Sequence, residues 1–442
     1  MRKYFGTDGI RGIANDELTA ELAFKIGKST AYVLKSQNHS LGSVLIARDT
    51  RISGEMFESA LVSSILSMGI NVITCGVMPT PVLAWLTRQE HTVGFMVSAS
   101  HNPWMHNGIK IFFDGYKLAD KLEEEIENHL EDKLKSWEIG KRVEADLLSE
   151  YVEWMVSKYA DLKGFKIAFD LANGAAITTV PVISKEIGID ALFFNSDPNG
   201  TNINERCGAL HPQFLSGRIK STGAEFGVIH DGDADRCIMI GKSGRIIDGD
   251  DMIVMNARVM KRDKRLGANT VVGTVMTNLA IEEELKSDGI KFIRTKVGDR
   301  YVLEKMREIG STLGGEQSGH IIFLDLATTG DGFLTALETI KASLKLGIDI
   351  EEFSSRINRY PQKLVNIAVK DKRSVMEDSR ISKFAKDVNS KKSLRLVIRP
   401  SGTEPLIRIM VEGKDAEMVE KITSQAREIV EEVGASGEIS QD

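Results

Sequence analysis

A pattern that recurs along the chain constrains it most. A short β-branched run stops at a polar, often glycine-containing loop, and a helical stretch follows. Ser43-Val44-Leu45-Ile46-Ala47 runs into Arg48-Asp49-Thr50-Arg51. Phe165-Lys166-Ile167-Ala168-Phe169 runs into Asp170-Leu171-Ala172-Asn173-Gly174, and Thr270-Val271-Val272-Gly273-Thr274 leads to Met276-Thr277-Asn278. Strands alternating with helical stretches imply βαβ units and mainly parallel sheets. Ligands of such sheets gather at the carboxyl ends of strands, so the polar loops are where chemistry belongs. The chain has 442 residues, and single cores stop growing at roughly 250–300. Several domains are therefore expected.

Two regions depart from the pattern. Residues 120–160 are charged and helix-favouring, and read as a solvated helix between domains. Residues 393–398 and 406–410 read as two strands flanking a tight loop, with a helix over residues 416–433. That is the signature of a small α+β domain. The polar stretch 434–442 reads as a frayed tail.

Charge and cysteine content exclude some function classes. The formal net charge of −6 disfavours a nucleic-acid binder, whose footprint is a basic patch. An anionic small molecule is still compatible, because local positive charge can sit inside an acidic protein. Cys75, Cys207 and Cys237 are not spaced as a zinc site, and so sparse a set fits a reducing compartment. Met1-Arg2-Lys3-Tyr4-Phe5-Gly6 lacks the apolar stretch of a signal peptide. No window approaches the ~18 apolar residues of a membrane span. The expectation is a cytoplasmic protein that binds neither nucleic acid nor membrane.

Four loops carry candidate chemistry. Ser98-Ala99-Ser100-His101-Asn102-Pro103 follows the apolar run at 93–97. A serine there serves as nucleophile or phosphate carrier, or the loop is a plain turn of small polar residues. No Gly-x-Ser-x-Gly elbow is present, which argues against an ordinary esterase. Asp231-Gly232-Asp233-Ala234-Asp235-Arg236 places three carboxylates at alternate positions. On extended backbone they point to one side, and oxygen-only ligands suit magnesium or calcium. An EF-hand would need glycine sixth and glutamate twelfth, where Arg236 and Lys242 stand.

Gly314-Gly315-Glu316-Gln317-Ser318-Gly319-His320 offers groups that can grip sugar hydroxyls. It reads equally as a glycine-rich turn. Arg399-Pro400-Ser401-Gly402-Thr403-Glu404-Pro405, with Arg408 beyond, combines a tight glycine turn, two hydroxyls and arginine forks. Those are the parts of an anion nest. No Walker A or dinucleotide fingerprint is present. Together the loops suit phosphoryl transfer, which depends on positioning and charge stabilisation.

These motifs, in order, resemble the α-D-phosphohexomutase superfamily. The resemblance begins at Phe5-Gly6-Thr7-Asp8-Gly9-Ile10-Arg11-Gly12 and Arg48-Asp49-Thr50-Arg51-Ile52-Ser53-Gly54, and runs on through the four loops. Lys296-Val297-Gly298-Asp299-Arg300-Tyr301-Val302 and Thr328-Thr329-Gly330-Asp331-Gly332 resemble the branch that acts on glucosamine phosphates.

The resemblance implies four domains around a central cleft. Three are similar mixed α/β domains (1–150, 151–251 and 252–365), and the fourth is a small α+β phosphate-binding domain (366–442). It implies that Ser100 carries the phosphoryl group and that Asp231, Asp233 and Asp235 hold one Mg2+ together with it. Glu316 and Ser318 would hold sugar hydroxyls. Arg399, Ser401, Gly402, Thr403 and Arg408 would hold the distal phosphate. Arg11, His101, Lys110 and His320 would serve the reacting oxygens. The implied reaction is an intramolecular phosphotransfer between glucosamine 6-phosphate and glucosamine 1-phosphate, primed by a sugar 1,6-bisphosphate, in a monomer or homodimer. A phosphomannomutase or phosphoglucomutase of the same superfamily is the rival. Three positions depart from the family's common pattern. Ala234 replaces a glycine, which calls for negative φ there. His106 replaces a frequent aspartate, and Pro400 replaces a frequent lysine, removing a cation from the anion nest.

Overall fold

The structure is a computed structural model that describes residues 3–6, 8–37, 42–391, 393–401 and 405–436. It divides into two compact units. The larger is drawn from residues 1–274 and 293–354, and the smaller from residues 275–292 and 355–442.

The larger unit is built on βα repeats. Its first sheet runs in the order Phe5–Gly6, Gly9–Ile13, His106–Phe113, Val93–Val97, Val44–Arg48, Val72–Val77, Arg142–Val143, with Tyr116–Lys117 paired to His106–Phe113. The second runs Asp190–Phe194, Lys166–Asp170, Phe226–Ile229, Ile238–Ile240, Ile246–Ile247. In the third, Leu313–Gly315 pairs with Thr270–Thr274 and with Ile321–Phe323. The three β-branched runs read from sequence are all strands of these sheets. Buried on both faces, such strands read as continuous apolar runs. All five residues of Val93–Val97 are buried.

The sheets are mixed where parallel ones were expected, and the departure places the site. Val93–Val97 pairs in parallel with Val44–Arg48 and antiparallel with His106–Phe113. Phe226–Ile229 pairs in parallel with Lys166–Asp170 and antiparallel with Ile238–Ile240. Leu313–Gly315 repeats the arrangement with Thr270–Thr274 and Ile321–Phe323. At the carboxyl end of a parallel strand the chain turns back antiparallel, through a loop too short to hold a crossover helix. The serine, aspartate and glutamate loops are these three reversals.

Residues 120–160 do not form one solvated helix. The chain makes Asp120–Asn128, then the short strand Arg142–Val143, then Leu148–Tyr159. Glu123 is buried and takes a two-pronged ion pair from Arg300, at 2.9 and 2.6 Å. Tyr151, Met155 and Tyr159 are buried on the second helix. The charge run hides an amphipathic face and one paired carboxylate, which composition alone does not reveal.

The smaller unit carries an antiparallel sheet with Leu406–Gly413 between Gln362–Ala368 and Leu394–Pro400. Ile407, Ile409 and Val411 alternate inward, and Val419, Ile422, Ala426 and Val430 of the helix Ala416–Ser436 recur at helical spacing. The small α+β reading holds, and residues 437–442 of the expected tail lie outside the described residues. Residues 275–292 join this unit: Arg395 donates to the carbonyls of Val275 and Thr277, both at 2.8 Å, and pairs with buried Glu412.

Candidate active site

Ser100 is the third residue of the loop after Val93–Val97 and is buried. Its Oγ donates to Asp231 Oδ2 at 2.6 Å and lies 3.1 Å from His101 Nδ1. The serine and aspartate loops, from different sheets, thus meet through a hydrogen bond. Arg236, burial and Arg11 together push His101 down to about 3. The imidazole is therefore neutral near pH 7 and can exchange a hydrogen bond without adding charge.

Asp231, Asp233 and Asp235 are buried, with one carboxylate oxygen of each within 4.8 Å of the others. The loop does not reach this by extended backbone, as its alternation suggested. It turns through Ala234, whose φ is 59°, so the expected negative φ is wrong. A left-handed residue other than glycine costs about 1–2 kcal/mol. Two backbone bonds hold it there. The Ala234 N–H donates to the Asp231 carbonyl at 3.1 Å, and its own carbonyl accepts from Gly332 N–H at 3.0 Å.

The carboxylate trio strains against itself. Burial, then Asp235 and Asp233, push Asp231 up to about 7. Burial would also raise Asp235, but Lys110, His320 and Arg236 outweigh it and hold that carboxyl low. Asp233 Oδ1 and Asp235 Oδ1 are buried with no hydrogen-bond partner. Orphaned carboxylate oxygens on three converging aspartates fit a hard divalent cation.

Four basic side chains and two further carboxylates extend the trio into a network. Lys110 Nζ donates to Asp233 Oδ2 at 2.8 Å and lies 3.2 Å from Asp8 and 3.5 Å from Asp235. Asp8 also takes Arg11 and Lys117, and Lys117 reaches Asp299 as well. His320 stands between carboxylates, Nδ1 at 3.6 Å from Asp235 and Nε2 at 3.6 Å from Asp299. Burial disfavours its charge, yet Asp235 and Asp299 prevail and raise it. Gly330 lets the chain lie against this ring: a Cβ there would meet His320 Nε2 at 2.6 Å.

Four family models match the chain: phosphoglucomutase/phosphomannomutase alpha/beta/alpha domain I over residues 2–136, domain II over 148–244, domain III over 248–360, and the C-terminal domain over 364–429. A phosphoglucosamine mutase of Desulforamulus reducens is 46% identical, the match covering 97% of this chain and 99% of that one. One from Thermoanaerobacter sp. is 44% identical over 98% and 99%. The chain belongs to the phosphoglucomutase/phosphomannomutase family. Its four-domain fold is shared with a solved family member from Burkholderia thailandensis, at a TM-score of 0.83 and 23% identity over 98% of each chain.

In this chain the third loop sits beside the aspartate loop, His320 lying 3.6 Å from Asp235. Glu316 Oε1 accepts the Gly298 N–H at 3.0 Å, and Ser318 Oγ is buried without a partner. Arg399, Ser401 and Arg408 lie in the smaller unit. Arg399 and Arg408 face each other across paired strands, and the Ser401 N–H donates to the Leu406 carbonyl at 2.8 Å. Gly402 and Thr403 lie outside the described residues. Pro400 brings no cation to this hairpin, but Lys372 does, donating to the Ser401 carbonyl at 2.8 Å.

Sequence reasoning assigned no role to Asp8, Asp49, Arg51, Thr80, Lys117, Asn204 or Asp299. Asp8, Asp49, Arg51 and Asp299 sat inside quoted motifs, at strand ends or glycine turns where polar groups deserved a role. Thr80, which donates to Asp233 Oδ2 at 2.5 Å, and Lys117 carried no such signal. Among the described residues no helix is long and apolar enough to cross a membrane.

Proposed function

We propose that this chain is a cytoplasmic phosphotransferase of the isomerase class that interconverts glucosamine 6-phosphate and glucosamine 1-phosphate through phosphorylated Ser100. The observation that carries this reading is Ser100 Oγ on Asp231 at 2.6 Å, beside two orphaned carboxylate oxygens. The curated relatives' names supply the sugar.

Asp231, Asp233 and Asp235 would hold one Mg2+, which when bound neutralises charge on the phosphoryl oxygens. Phosphoryl passes from Ser100 Oγ to O1 of glucosamine 6-phosphate. The phosphorus–Oγ bond breaks, a phosphorus–O1 bond forms, and the proton lost by O1 is matched by one gained at Oγ. The resulting 1,6-bisphosphate returns its 6-phosphoryl group to Ser100 by the reverse exchange. Lys110, kept cationic by its carboxylates, and His320, whose proton affinity Asp235 and Asp299 raise, suit donation to the bridging and leaving oxygens. Neutral His101 suits proton exchange at Oγ. Arg11, fixed by Asp8, adds charge near the phosphoryl group. Glu316 and Ser318 orient sugar hydroxyls. Arg399, Ser401, Gly402, Thr403 and Arg408 grip the phosphate that is not moving.

A sugar 1,6-bisphosphate primes the serine. The proposed boundaries follow the loops, at 1–150, 151–251, 252–365 and 366–442, and the working form is a monomer or homodimer. Kinetics of the primed enzyme on glucosamine, glucose and mannose 6-phosphates test the reading. Glucosamine 6-phosphate should have the highest kcat/KM. Equal or higher efficiency on mannose or glucose 6-phosphate would move the chain to the rival branch.

A further inference from the structure

Ser100 has a φ of 53°, in the left-handed region that a side chain enters at a cost. Both of its backbone polar groups are pinned there. Its N–H donates to Ser98 Oγ at 2.9 Å, and Ser98 Oγ in turn donates to Asp49 Oδ2 at 2.5 Å. Its carbonyl accepts from Arg51 Nη2 at 2.9 Å and from Asn204 Nδ2 at 2.9 Å. The same two side chains reach the Asn102 carbonyl, at 2.8 and 3.2 Å. Arg51 also donates through Nη1 to the carbonyls of His106, at 3.0 Å, and Pro103, and through Nε to Asp49 Oδ2 at 2.9 Å. Gly232 closes the space from the aspartate loop: a Cβ there would meet the Ser100 carbonyl oxygen at 2.5 Å.

A guanidinium has five N–H donors, and Arg51 aims them at five oxygens. Three are backbone carbonyls of the serine loop, and a fourth is the His106 carbonyl at the start of the next strand. At 1% exposure it is shielded from direct contact with a substrate in solution. Asn204 brings a second donor to the same carbonyls from the part of the chain that carries the aspartate loop.

We infer that Arg51 and Asn204 are positioning residues that lock Ser100 in the left-handed conformation which aims Oγ at Asp231, so that phosphoryl transfer, rather than sugar binding, depends on them. The inference rests on Ser100 being the phosphoryl carrier. Lysine has one ammonium where arginine has a planar fork, so Arg51→Lys keeps the charge and loses the geometry. Asn204→Ala removes two of the carbonyl contacts and no charge.

The test compares wild type with these variants, using glucose 1,6-bisphosphate as phosphoryl donor and intact mass to follow loading of Ser100. A displacement of about 1 Å costs on the order of 100-fold, so Arg51→Lys should lower both the loading rate and kcat by about 100-fold and Asn204→Ala by about 10-fold, with KM moved less than about threefold. Magnesium affinity by calorimetry should stay at the wild-type value. If Arg51→Lys does not fold, Asn204→Ala decides alone. Folded variants that load and turn over at wild-type rates would overturn the inference, as would a loss confined to KM or to melting temperature. A wild type that turns over but never takes up a phosphoryl group would overturn the parent reading, and this inference with it.

Discussion

The two units hold the charge of their candidate loops differently. The larger buries it. Lys110, Arg51, Asp49 and the aspartate trio are nearly inaccessible; Arg51 pairs with Asp49 two residues away, and Lys110 pairs with Asp233 from another sheet. The smaller unit keeps its loop on an antiparallel hairpin over an ordinary apolar core, with Arg399 and Arg408 on facing strands. Buried, mutually neutralised charge is pre-organised and costly to disturb. Hairpin charge is cheap to change and grips a ligand from outside. The larger unit should therefore govern the chemical step, and the smaller one affinity.

The sharpest way to break that division is Ser100→Ala. It should lower turnover by at least about 10⁴-fold while leaving the fold intact. Near-normal turnover by the purified variant would remove the phosphoserine route. Chelation should likewise abolish activity, with magnesium restoring it. Asp233→Asn should not be rescued at the same magnesium concentration. Full activity after chelation would end the metal assignment.

The outer layer comes next. Asp299→Asn leaves Lys117 and His320 without a shared carboxylate. Groups that orient a catalytic centre are typically worth about 10–100-fold, and this loss should fall on kcat rather than KM. An effect confined to KM would place Asp299 on the sugar instead.

In the smaller unit the split should reverse. Arg399→Ala removes a charge-assisted grip worth about 1.5–3 kcal/mol, so KM should rise roughly 10- to 100-fold with a smaller change in kcat. Bisphosphate should escape more often, because the same loop must hold the intermediate as it turns over. Lys372→Ala should act in the same direction by only a few-fold, about the worth of a partly exposed charge. A kcat loss matching that of Asp299→Asn would break the comparison.

The smallest effect is on stability. All eight histidines lie outside the smaller unit. Burial pushes His230 from 6.5 down to about 4. Between those values the unfolded chain binds a proton that the folded one refuses, so stability falls as pH drops from 6.5 to 4. Relative to His230→Asn, wild type should lose on the order of 3 kcal/mol across that window. The unfolding transition of the larger unit should carry the difference. An identical pH profile for both proteins would contradict the assignment.

The loops proposed as the site were legible in the sequence because each follows a strand. Ser100, the three aspartates, Glu316 and the 399–408 hairpin each announce themselves by residue type and spacing. Convergence between sheets was not legible. Nothing local says that Lys117 spans Asp8 and Asp299, or that Thr80 meets Asp233. Backbone strain was misread for the same reason. Ala234 seemed to require negative φ, yet a turn bond to Asp231 and a long-range bond from Gly332 hold it at 59°. The stretch at 120–160 was read from charge alone, and its buried pair Glu123–Arg300 joins residues 177 positions apart. At Ala234 the surrounding bonds outweigh a local preference worth only about 1–2 kcal/mol.

The central claim is that a phosphoryl group resides on Ser100 during turnover. Wild type can be loaded with a sugar 1,6-bisphosphate, freed of excess donor, mixed with glucosamine 6-phosphate and quenched over time for intact mass and peptide mapping. The account predicts that one phosphoryl group appears on loading and maps to Ser100. It should leave on mixing as glucosamine 1,6-bisphosphate forms, and return as glucosamine 1-phosphate is released. Steady formation of glucosamine 1-phosphate by an enzyme whose Ser100 stays unmodified throughout would contradict it.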